Sequence, residues 1–399
     1  MLDESQIGEL RRETPGIGKI VHFNHSGASL MSQPVLDAIH AQLRREAEIG
    51  PHEAHVPVMA QVETARGDAA ALLGADPADI AFVGSGSTGW GMAFAALPPL
   101  AAGERILVGR QEWGSNLATL QAAAGRAGAR IETIACRGDG SVDADALDRM
   151  IDGRVRLVSL TWLPANGGLI NDAAAVGRVT RRHGVPYFVD AGQALGQIPV
   201  SVADIGCDVL KGAGRKFLRG PRGTALLYVR ASMRERMVPP FLNVVAAQWT
   251  PSAPEIRRDA RAFESGDQPV ALLLGLGTAL AQARAIGIEA IRARIAILSD
   301  ELRARLAEID GVTLRDLGDG PKSGLVSFDV RGVPADAVRS RLAAEYAINV
   351  GANGVAYTPL DMIARGLDAI VRASVSYLNT QAELDRLADA VRKIARQAG

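Results

Sequence analysis

Short apolar runs alternate with stretches of helical spacing as far as Val229, and this alternation constrains the fold more than any other feature of the chain. The runs predict strands at Ile80–Val83, Arg105–Val108, Arg130–Ile134, Arg156–Leu160, Pro186–Val189, Asp208–Leu210 and Thr224–Val229. The stretches between them predict helices at Ala118–Ala127, Asp143–Ile151 and Asp172–His183. A repeated strand–helix–strand order predicts the α/β class, with a mainly parallel sheet covered by helices on both faces.

The pattern changes after about residue 270. Val270–Ile286 and Ile288–Glu308 have apolar residues at helical spacing, Gly324–Val330 and Ile348–Gly351 predict strands, and Gln381–Arg396 predicts a closing amphipathic helix. This second part therefore belongs to the α+β type.

The length of 399 residues, 48% of them hydrophobic, is too large for one compact unit of ordinary size. We therefore predict three parts: an N-terminal helical arm over residues 1–20, a large domain over 21–270 and a smaller C-terminal domain over 271–399.

The charge and cysteine content argue against several classes of protein. Basic and acidic residues are equal at 44 each, so there is no basic footprint for nucleic acid or a membrane surface. No apolar run has the length of a membrane span, and the polar first residues do not resemble a signal peptide. Cys136 and Cys207 lie far apart, without metal-ligand spacing, which suits a reducing cytoplasm. The histidines have no clustered acidic or thiol partners, so we expect no metal site.

A glycine-rich segment, Ala81–Trp90, follows a predicted strand and opens a predicted helix. Its glycines let the backbone approach an anion, the helix start offers free N–H groups, and Ser87 and Thr88 add hydroxyls. The segment also fits the dinucleotide pattern GxGxxG, and Glu112 follows at a plausible distance for a ribose. A nicotinamide-dependent oxidoreductase is therefore one alternative.

Two polar groups that follow later strands favour pyridoxal 5′-phosphate (PLP) instead. Asp190 ends a strand, where a carboxylate can keep a pyridine nitrogen protonated, although a simple helix cap is common at such a position. Gln193 follows it and can hydrogen-bond the cofactor. Lys216 lies beyond the next strand beside Arg215, which can lower the pKa of the lysine and hold a phosphate. Taken alone, Lys216 would fit a solvated basic loop. A dinucleotide site, however, does not call for an anion-binding loop, an aspartate after one strand and a lysine after a later strand together.

With these residues the chain resembles the class V aminotransferase-like group of fold-type I PLP enzymes, which includes cysteine desulfurases, isopenicillin epimerases and hercynylcysteine sulfoxide lyases. The resemblance extends from Phe23–Ala28 to Arg372–Asp385, and its most specific parts are the latter string and Val189–Gln193. It implies the fold-type I architecture, and it implies a homodimer with shared active sites acting on an amino acid.

The resemblance also assigns roles to individual residues. For the cofactor it implies a Schiff base at Lys216, a phosphate loop at Ser87 and Thr88, a stacking ring at Trp113, a ring-nitrogen partner at Asp190, 3′-oxygen partners at Asn166 and Gln193, and a contact to the partner subunit's phosphate from Gly266 and Asp267. For the substrate it implies a carboxylate clamp at Arg372, a task suited to guanidinium. His25 is a further candidate at the substrate entrance.

The departures from the family pattern direct the choice of reaction. Arg215 stands where the family usually has histidine, so the resemblance leaves the phosphate partner at this position open. Desulfurases carry a catalytic cysteine shortly before the arginine clamp, and the corresponding stretch, Gly351–Pro359, has none. A thiolate is needed to accept sulfur as a persulfide. The string Gly214–Gly223 most resembles the sulfoxide lyases, so we predict a C–S β-lyase of a cysteine conjugate or its sulfoxide, with an aminotransferase or an epimerase as alternatives.

Overall fold

The structure is a computed structural model that describes residues 2–397. Its strands are β1 (Val21–Phe23), β2 (Ile80–Val83), β3 (Arg105–Val108), β4 (Arg130–Thr133), β5 (Val155–Thr161), β6 (Tyr187–Asp190), β7 (Val209–Lys211), β8 (Ala225–Val229), β9 (Ala247–Gln248), β10 (Glu255–Ile256), β11 (Val312–Leu314), β12 (Leu325–Val330), β13 (Ile348–Gly354) and β14 (Ala369–Ser374). Its α-helices are α1 (Glu4–Arg12), α2 (Gln33–Ile49), α3 (Pro51–His55), α4 (Met59–Leu73), α5 (Gly86–Ala95), α6 (Gly114–Ala127), α7 (Ala144–Met150), α8 (Ala173–His183), α9 (Val202–Ile205), α10 (Ala231–Arg234), α11 (Val270–Ile286), α12 (Ile288–Ala307), α13 (Ala335–Tyr346), α14 (Pro359–Ala364) and α15 (Gln381–Arg396).

The larger sheet has seven strands in the order β2-β8-β7-β6-β5-β3-β4. Strands β4, β3, β5, β6 and β7 pair in parallel, and β8 runs antiparallel to both β7 and β2. The prediction of a mainly parallel sheet is therefore confirmed. Because β2 runs in the same direction as the parallel strands, the carboxyl ends of β2, β3, β5, β6 and β7 all lie at one edge.

The central strands of this sheet are buried on both faces, which explains why their sequences are continuous apolar runs rather than alternating ones. Tyr187 and Val189 belong to the hydrophobic cluster on one face, and their neighbours Phe188 and Val209 belong to the cluster on the other. Helices cover both clusters, so the sheet edge is the part of this layer where polar side chains gather.

The second sheet has the order β1-β13-β14-β12-β11 and contains mostly antiparallel pairs. Its core includes Leu384, Leu387 and Val391 of α15, which come from the apolar face of that helix. The first strand, Val21–Phe23, pairs in parallel with β13. Residues at the start of the predicted large domain thus supply one strand to the sheet of the predicted C-terminal domain. The domain boundaries near residues 20 and 270 stay a prediction.

In the part of the chain that the structure describes, no single helix has the length and apolar content to cross a membrane. Helices α11 and α12 would meet those two criteria only as a pair, and they are bent by 79° relative to each other.

Candidate active site

The segments that follow five strands meet at the carboxyl edge of the seven-stranded sheet. They line a small cavity of about 140 Å³. A larger neighbouring cavity of about 730 Å³ shares four of its lining residues: Trp113, Gln193, Arg215 and Lys216. The small cavity is lined by Ser85, Gly86, Ser87, Trp113, Thr161, Leu163, Ala165, Asp190, Gly192, Gln193, Lys211, Ala213, Arg215 and Lys216. Ligands of open α/β sheets bind at this edge, as the sequence analysis assumed.

The start of α5 forms one end of the small cavity. Ser85 caps the helix, its Oγ accepting from the Thr88 N–H at 3.0 Å and lying 2.8 Å from the Thr88 hydroxyl. The first N–H groups of a helix have no partner within it, so they attract an anion. The predicted Ser87 lines the cavity, whereas Thr88 is occupied with Ser85. Ser85 was not among the predicted residues, although a serine just before a helix is a recognisable cap signal.

Asp190 ends β6 and is buried at the centre of the site. Its Oδ1 accepts from the Gly192 N–H at 2.9 Å, and its Oδ2 accepts from Asn116 Nδ2 at 3.2 Å and pairs with Lys211 Nζ at 2.7 Å. Lys211 is a residue that the sequence analysis missed. The signal for it was a lysine that directly follows a predicted apolar strand, and the register that pairs Asp190 with Lys211 places both residues at the same edge.

Lys216 lies near Lys211, under the same aromatic ring. The Nζ atoms of Lys216 and Lys211 lie 5.7 Å and 5.9 Å from the centre of the Trp113 ring. Burial lowers the pKa of Lys216 to about 7, while Asp190 acts in the opposite direction and Lys211, Arg215 and Arg372 lower it further. A substantial fraction of the Lys216 amine is therefore neutral, and hence nucleophilic, at neutral pH.

Trp113 is fixed by a buried network beneath it. Its backbone N–H donates to Glu112 Oε1 and to Thr161 Oγ1, both at 2.9 Å. Glu112 also accepts from Ser159, Thr161 and Asn116, and burial raises the pKa of its carboxyl group. Both oxygens of Glu112 are thus engaged with protein groups. In a dinucleotide-binding protein, Glu112 would bind a ribose. In this structure Glu112 instead holds the backbone of Trp113.

Four buried polar atoms of predicted site residues lack hydrogen-bond partners among the described residues: Trp113 Nε1, Gln193 Oε1, Arg215 Nε and Arg372 Nε. All four residues line the larger cavity. Arg372 lies on β14, its Nη1 donates to the Ala165 carbonyl at 2.8 Å, and burial lowers its pKa to about 10. The nitrogens can donate to a bound molecule that carries anionic or polar oxygens, and the Gln193 oxygen can accept from a donor on that molecule.

Asn24 is a second missed residue, and it lies close to Arg372. Its Oδ1 is also buried and unpartnered in the described part of the chain. A Cβ on Gly351 would come within 3.1 Å of that oxygen and 3.3 Å of Arg372 Nη2. Glycine at 351 therefore leaves room around a guanidinium that could hold a carboxylate, with an amide beside it that would donate through its Nδ2.

Two predicted residues have other contacts in the structure. Asn166 donates through Nδ2 to the buried Asp361 at 2.7 Å. His25 is buried, with its ring nitrogens 3.0 Å from the Ser29 hydroxyl and 3.0 Å from the His22 carbonyl, and His22 is the histidine that lines the larger cavity. The roles of Asn166 at the cofactor and of His25 at the substrate stay predictions.

Gly266 and Asp267 are exposed and lie at a separate surface cavity beside Val245 and His52. The single chain thus does not bring them to Lys216. Their predicted contact with a partner subunit remains a prediction.

A loop from the second sheet closes over Trp113. The ring of Tyr357 lies 5.6 Å from the Trp113 ring, and a Cβ on Gly114 would come within 1.9 Å of the Ala356 carbonyl oxygen. The free cysteines of the described chain lie outside this loop: Cys136 is half-buried and Cys207 is buried, and burial raises the pKa of both thiols. The loop therefore presents an aromatic ring, and not a thiol, to the site.

Comparisons with known proteins find similarity along most of the chain. The family model described as Aminotransferase class-V matches residues 21–387. A probable cysteine desulfurase of Xylella fastidiosa is 32% identical over 76% of this chain and 72% of its own length. A probable hercynylcysteine sulfoxide lyase of Mycobacterium tuberculosis is 30% identical over 93% of this chain and 89% of its own length.

Two solved structures show the likeness of the fold. The apo cysteine desulfurase of Thermococcus onnurineus has a TM-score of 0.90 at 22% identity, covering 98% of each chain. The cystine C-S lyase C-DES, in complex with cysteine persulfide, has a TM-score of 0.84 at 24% identity, covering 95% of this chain and 99% of its own.

Proposed function

This chain belongs to the class-V aminotransferase family, and we propose that it is a PLP-dependent C–S β-lyase acting on a cysteine conjugate or its sulfoxide. One observation carries the choice of reaction: the loop that closes over Trp113 presents Tyr357 and no thiol. A desulfurase needs a protein thiolate to take the sulfur, whereas a β-lyase releases the sulfur group directly.

The residues at the sheet edge fit PLP. Lys216 offers an amine with a lowered pKa, the start of α5 offers N–H groups for a phosphate, and Trp113 offers a ring face. Asp190 would keep the pyridine nitrogen protonated, and Gln193 and Arg215 have unpartnered polar atoms beside it. When bound, PLP supplies an electron sink for the negative charge that forms on the substrate Cα.

The side chains of the larger cavity account for the remaining steps. Arg372 and Asn24 would hold the substrate carboxylate, and Tyr357 and Trp113 would limit the access of water. The Lys216 amine would accept the Cα proton as a general base. The sulfur group on Cβ then departs with the electron pair of the C–S bond, and hydrolysis of the remaining three-carbon unit gives pyruvate and ammonia.

The test is to supply a cysteine conjugate sulfoxide and measure pyruvate and alanine. We expect pyruvate, and we expect the variant with both Cys136→Ser and Cys207→Ser to retain activity within about twofold, because no thiol takes part. Alanine with a persulfide on the wild-type protein would establish a desulfurase instead. Consumption of a keto-acid acceptor would establish an aminotransferase, and racemised substrate would establish an epimerase.

The lowered pKa of Lys216 predicts the pH dependence of cofactor capture. Capture of PLP would require the neutral form of the Lys216 amine, so the capture rate should rise with pH and level off above a pKa of about 7. The rate constant should increase about tenfold between pH 6 and pH 8 and little beyond, as the neutral fraction does. Stopped-flow absorbance of the cofactor-free protein measures this. A rate that still climbs tenfold per unit up to pH 10 would mean that Lys216 has the basicity of an ordinary lysine.

We also propose that the enzyme is a homodimer. The segment 238–249 exposes several large apolar side chains, among them Phe241 at 71%, Val244 at 94% and Trp249 at 79%. An apolar patch of this kind marks an interface, and it lies beside the cavity that contains Asp267. Sedimentation should give a dimer, and Phe241→Glu with Trp249→Glu should give a folded monomer. A monomeric wild-type protein at micromolar concentration would contradict the proposal.

The cytoplasm is the compartment that we propose. Cys136 and Cys207 are free thiols, and Cys136 is only half-buried. Free accessible thiols persist in reducing compartments.

A further inference from the structure

A second lysine shares the site with Lys216. Lys211 ends β7, its side chain is only 7% exposed, and its Nζ lies 2.7 Å from Asp190 Oδ2. It lies under the Trp113 ring at nearly the same distance as Lys216. The chemistry described so far uses Lys216 and Asp190 and leaves this buried ammonium without a task.

The stem of Lys211 passes the first residue of α5. A Cβ built on Gly86 would lie 2.9 Å from Lys211 Cδ and 3.7 Å from its Nζ. The ammonium group is therefore within one side-chain rotation of two anion sites: the Asp190 carboxylate, which it now contacts, and the N-terminus of α5. Glycine at position 86 is what leaves space for the lysine beside that helix start.

Three donors already occupy the Asp190 carboxylate, two of them on Oδ2. Oδ1 accepts from Gly192, and Oδ2 accepts from both Asn116 and Lys211. If the pyridine nitrogen of PLP pairs with Asp190, the most readily displaced donor is Lys211, because its side chain is flexible. A buried ammonium without a counter-ion is strongly unfavourable, so Lys211 needs another anion. The cofactor brings one, since it carries a phosphate as well as a ring nitrogen.

We infer that Lys211 is a phosphate ligand of the PLP-bound enzyme, and that it exchanges Asp190 for the phosphate when the cofactor enters. The inference rests on the proposed PLP site. In this exchange Asp190 passes from Lys211 to the ring nitrogen, and Lys211 passes from Asp190 to the phosphate. Each buried charge keeps a partner throughout, and the cofactor-free site is stable because Lys211 occupies the place of the ring nitrogen.

The experiment compares PLP with pyridoxal, which has the same ring and aldehyde but no phosphate. Protein freed of cofactor is titrated with each, bound cofactor is measured by visible absorbance and by equilibrium dialysis, and wild type is compared with Lys211→Met. The wild-type preference for PLP over pyridoxal should fall about ten- to a hundredfold in the variant, the contribution of a charge-assisted hydrogen bond. Pyridoxal binding itself should stay equal or become tighter, because Lys211 no longer competes for Asp190.

Two further variants keep the outcome interpretable. Lys211→Arg keeps a cation and should restore most of the preference for PLP, while Lys19→Met removes an exposed lysine outside both cavities and should change nothing. An equal loss for both ligands, or an unchanged preference, would overturn the inference and leave the PLP site intact. Failure of the wild-type protein to bind either ligand would instead refute the proposed cofactor.

Discussion

Replacing Lys216 by alanine is expected to lower turnover by roughly three to four orders of magnitude, the size of a lost general base, or by more where the covalent link also matters. Lys216 is the one amine in the site whose pKa is lowered to about 7, whereas Lys211 is held by Asp190 at 2.7 Å. The variant should still bind PLP through the helix start and Asp190. It should lack the absorbance band of the lysine-linked cofactor, and borohydride should no longer fix the cofactor to the chain.

The measurement combines the pyruvate assay with mass spectrometry of the borohydride-treated protein. Lys19→Ala is the matched control, since Lys19 is exposed and outside the cavities, and it should keep both activity and the fixed cofactor. A Lys216→Ala protein that still fixes PLP at Lys211 would show that the two lysines can substitute for each other. Full activity in the variant would remove Lys216 from the mechanism.

The sequence predicted the large sheet well because its signal is local. The buried strands are built mainly on apolar runs, and β2 and β3 begin and end where the pattern predicted. Parallel strands point their carboxyl ends at one edge, so residues that follow different strands could be assigned to one site before any contact was known. Trp113, Asp190 and Lys216 were grouped by this reasoning and by the family resemblance, and the structure places them around one cavity.

The residues that the sequence analysis missed depend on contacts between distant segments. Lys211 reaches Asp190 because the register between β6 and β7 aligns them, and register is not visible in a single strand. Asn24 reaches Arg372 because β1 joins the second sheet next to β13, whose partner is β14. The predicted residues His25 and Asn166 hydrogen-bond to groups that folding brings near them, and spacing along the chain does not reveal which groups those are.

Asp190 connects most of these groups. On one side it is bonded to Asn116, which also donates to the buried Glu112 beneath Trp113, and on the other it holds Lys211. The same carboxylate neutralises Lys211 in the cofactor-free protein, and in the proposed mechanism it has a second task, which is to keep the ring nitrogen protonated. The two tasks can be separated, because only the first depends on Lys211.

Asp190→Asn should therefore damage both stability and activity. In the cofactor-free protein it leaves Lys211 buried without a counter-ion, which should lower the free energy of unfolding by about 3–5 kcal/mol, as for a broken buried ion pair. With cofactor bound, turnover should fall roughly 10²- to 10⁴-fold, because a neutral amide no longer holds the proton on the ring nitrogen.

Adding Lys211→Met to Asp190→Asn tests the separation of the two tasks. The double variant should regain most of the lost stability, because the unpaired charge is gone, but it should not regain activity. Urea unfolding of the cofactor-free proteins measures the first effect, and the pyruvate assay on cofactor-saturated proteins measures the second. If Asp190→Asn is as stable as the wild type, the ion pair with Lys211 contributes nothing to the cofactor-free fold. If the double variant recovers activity, the defect came from the stranded lysine, and the carboxylate is not what protonates the cofactor.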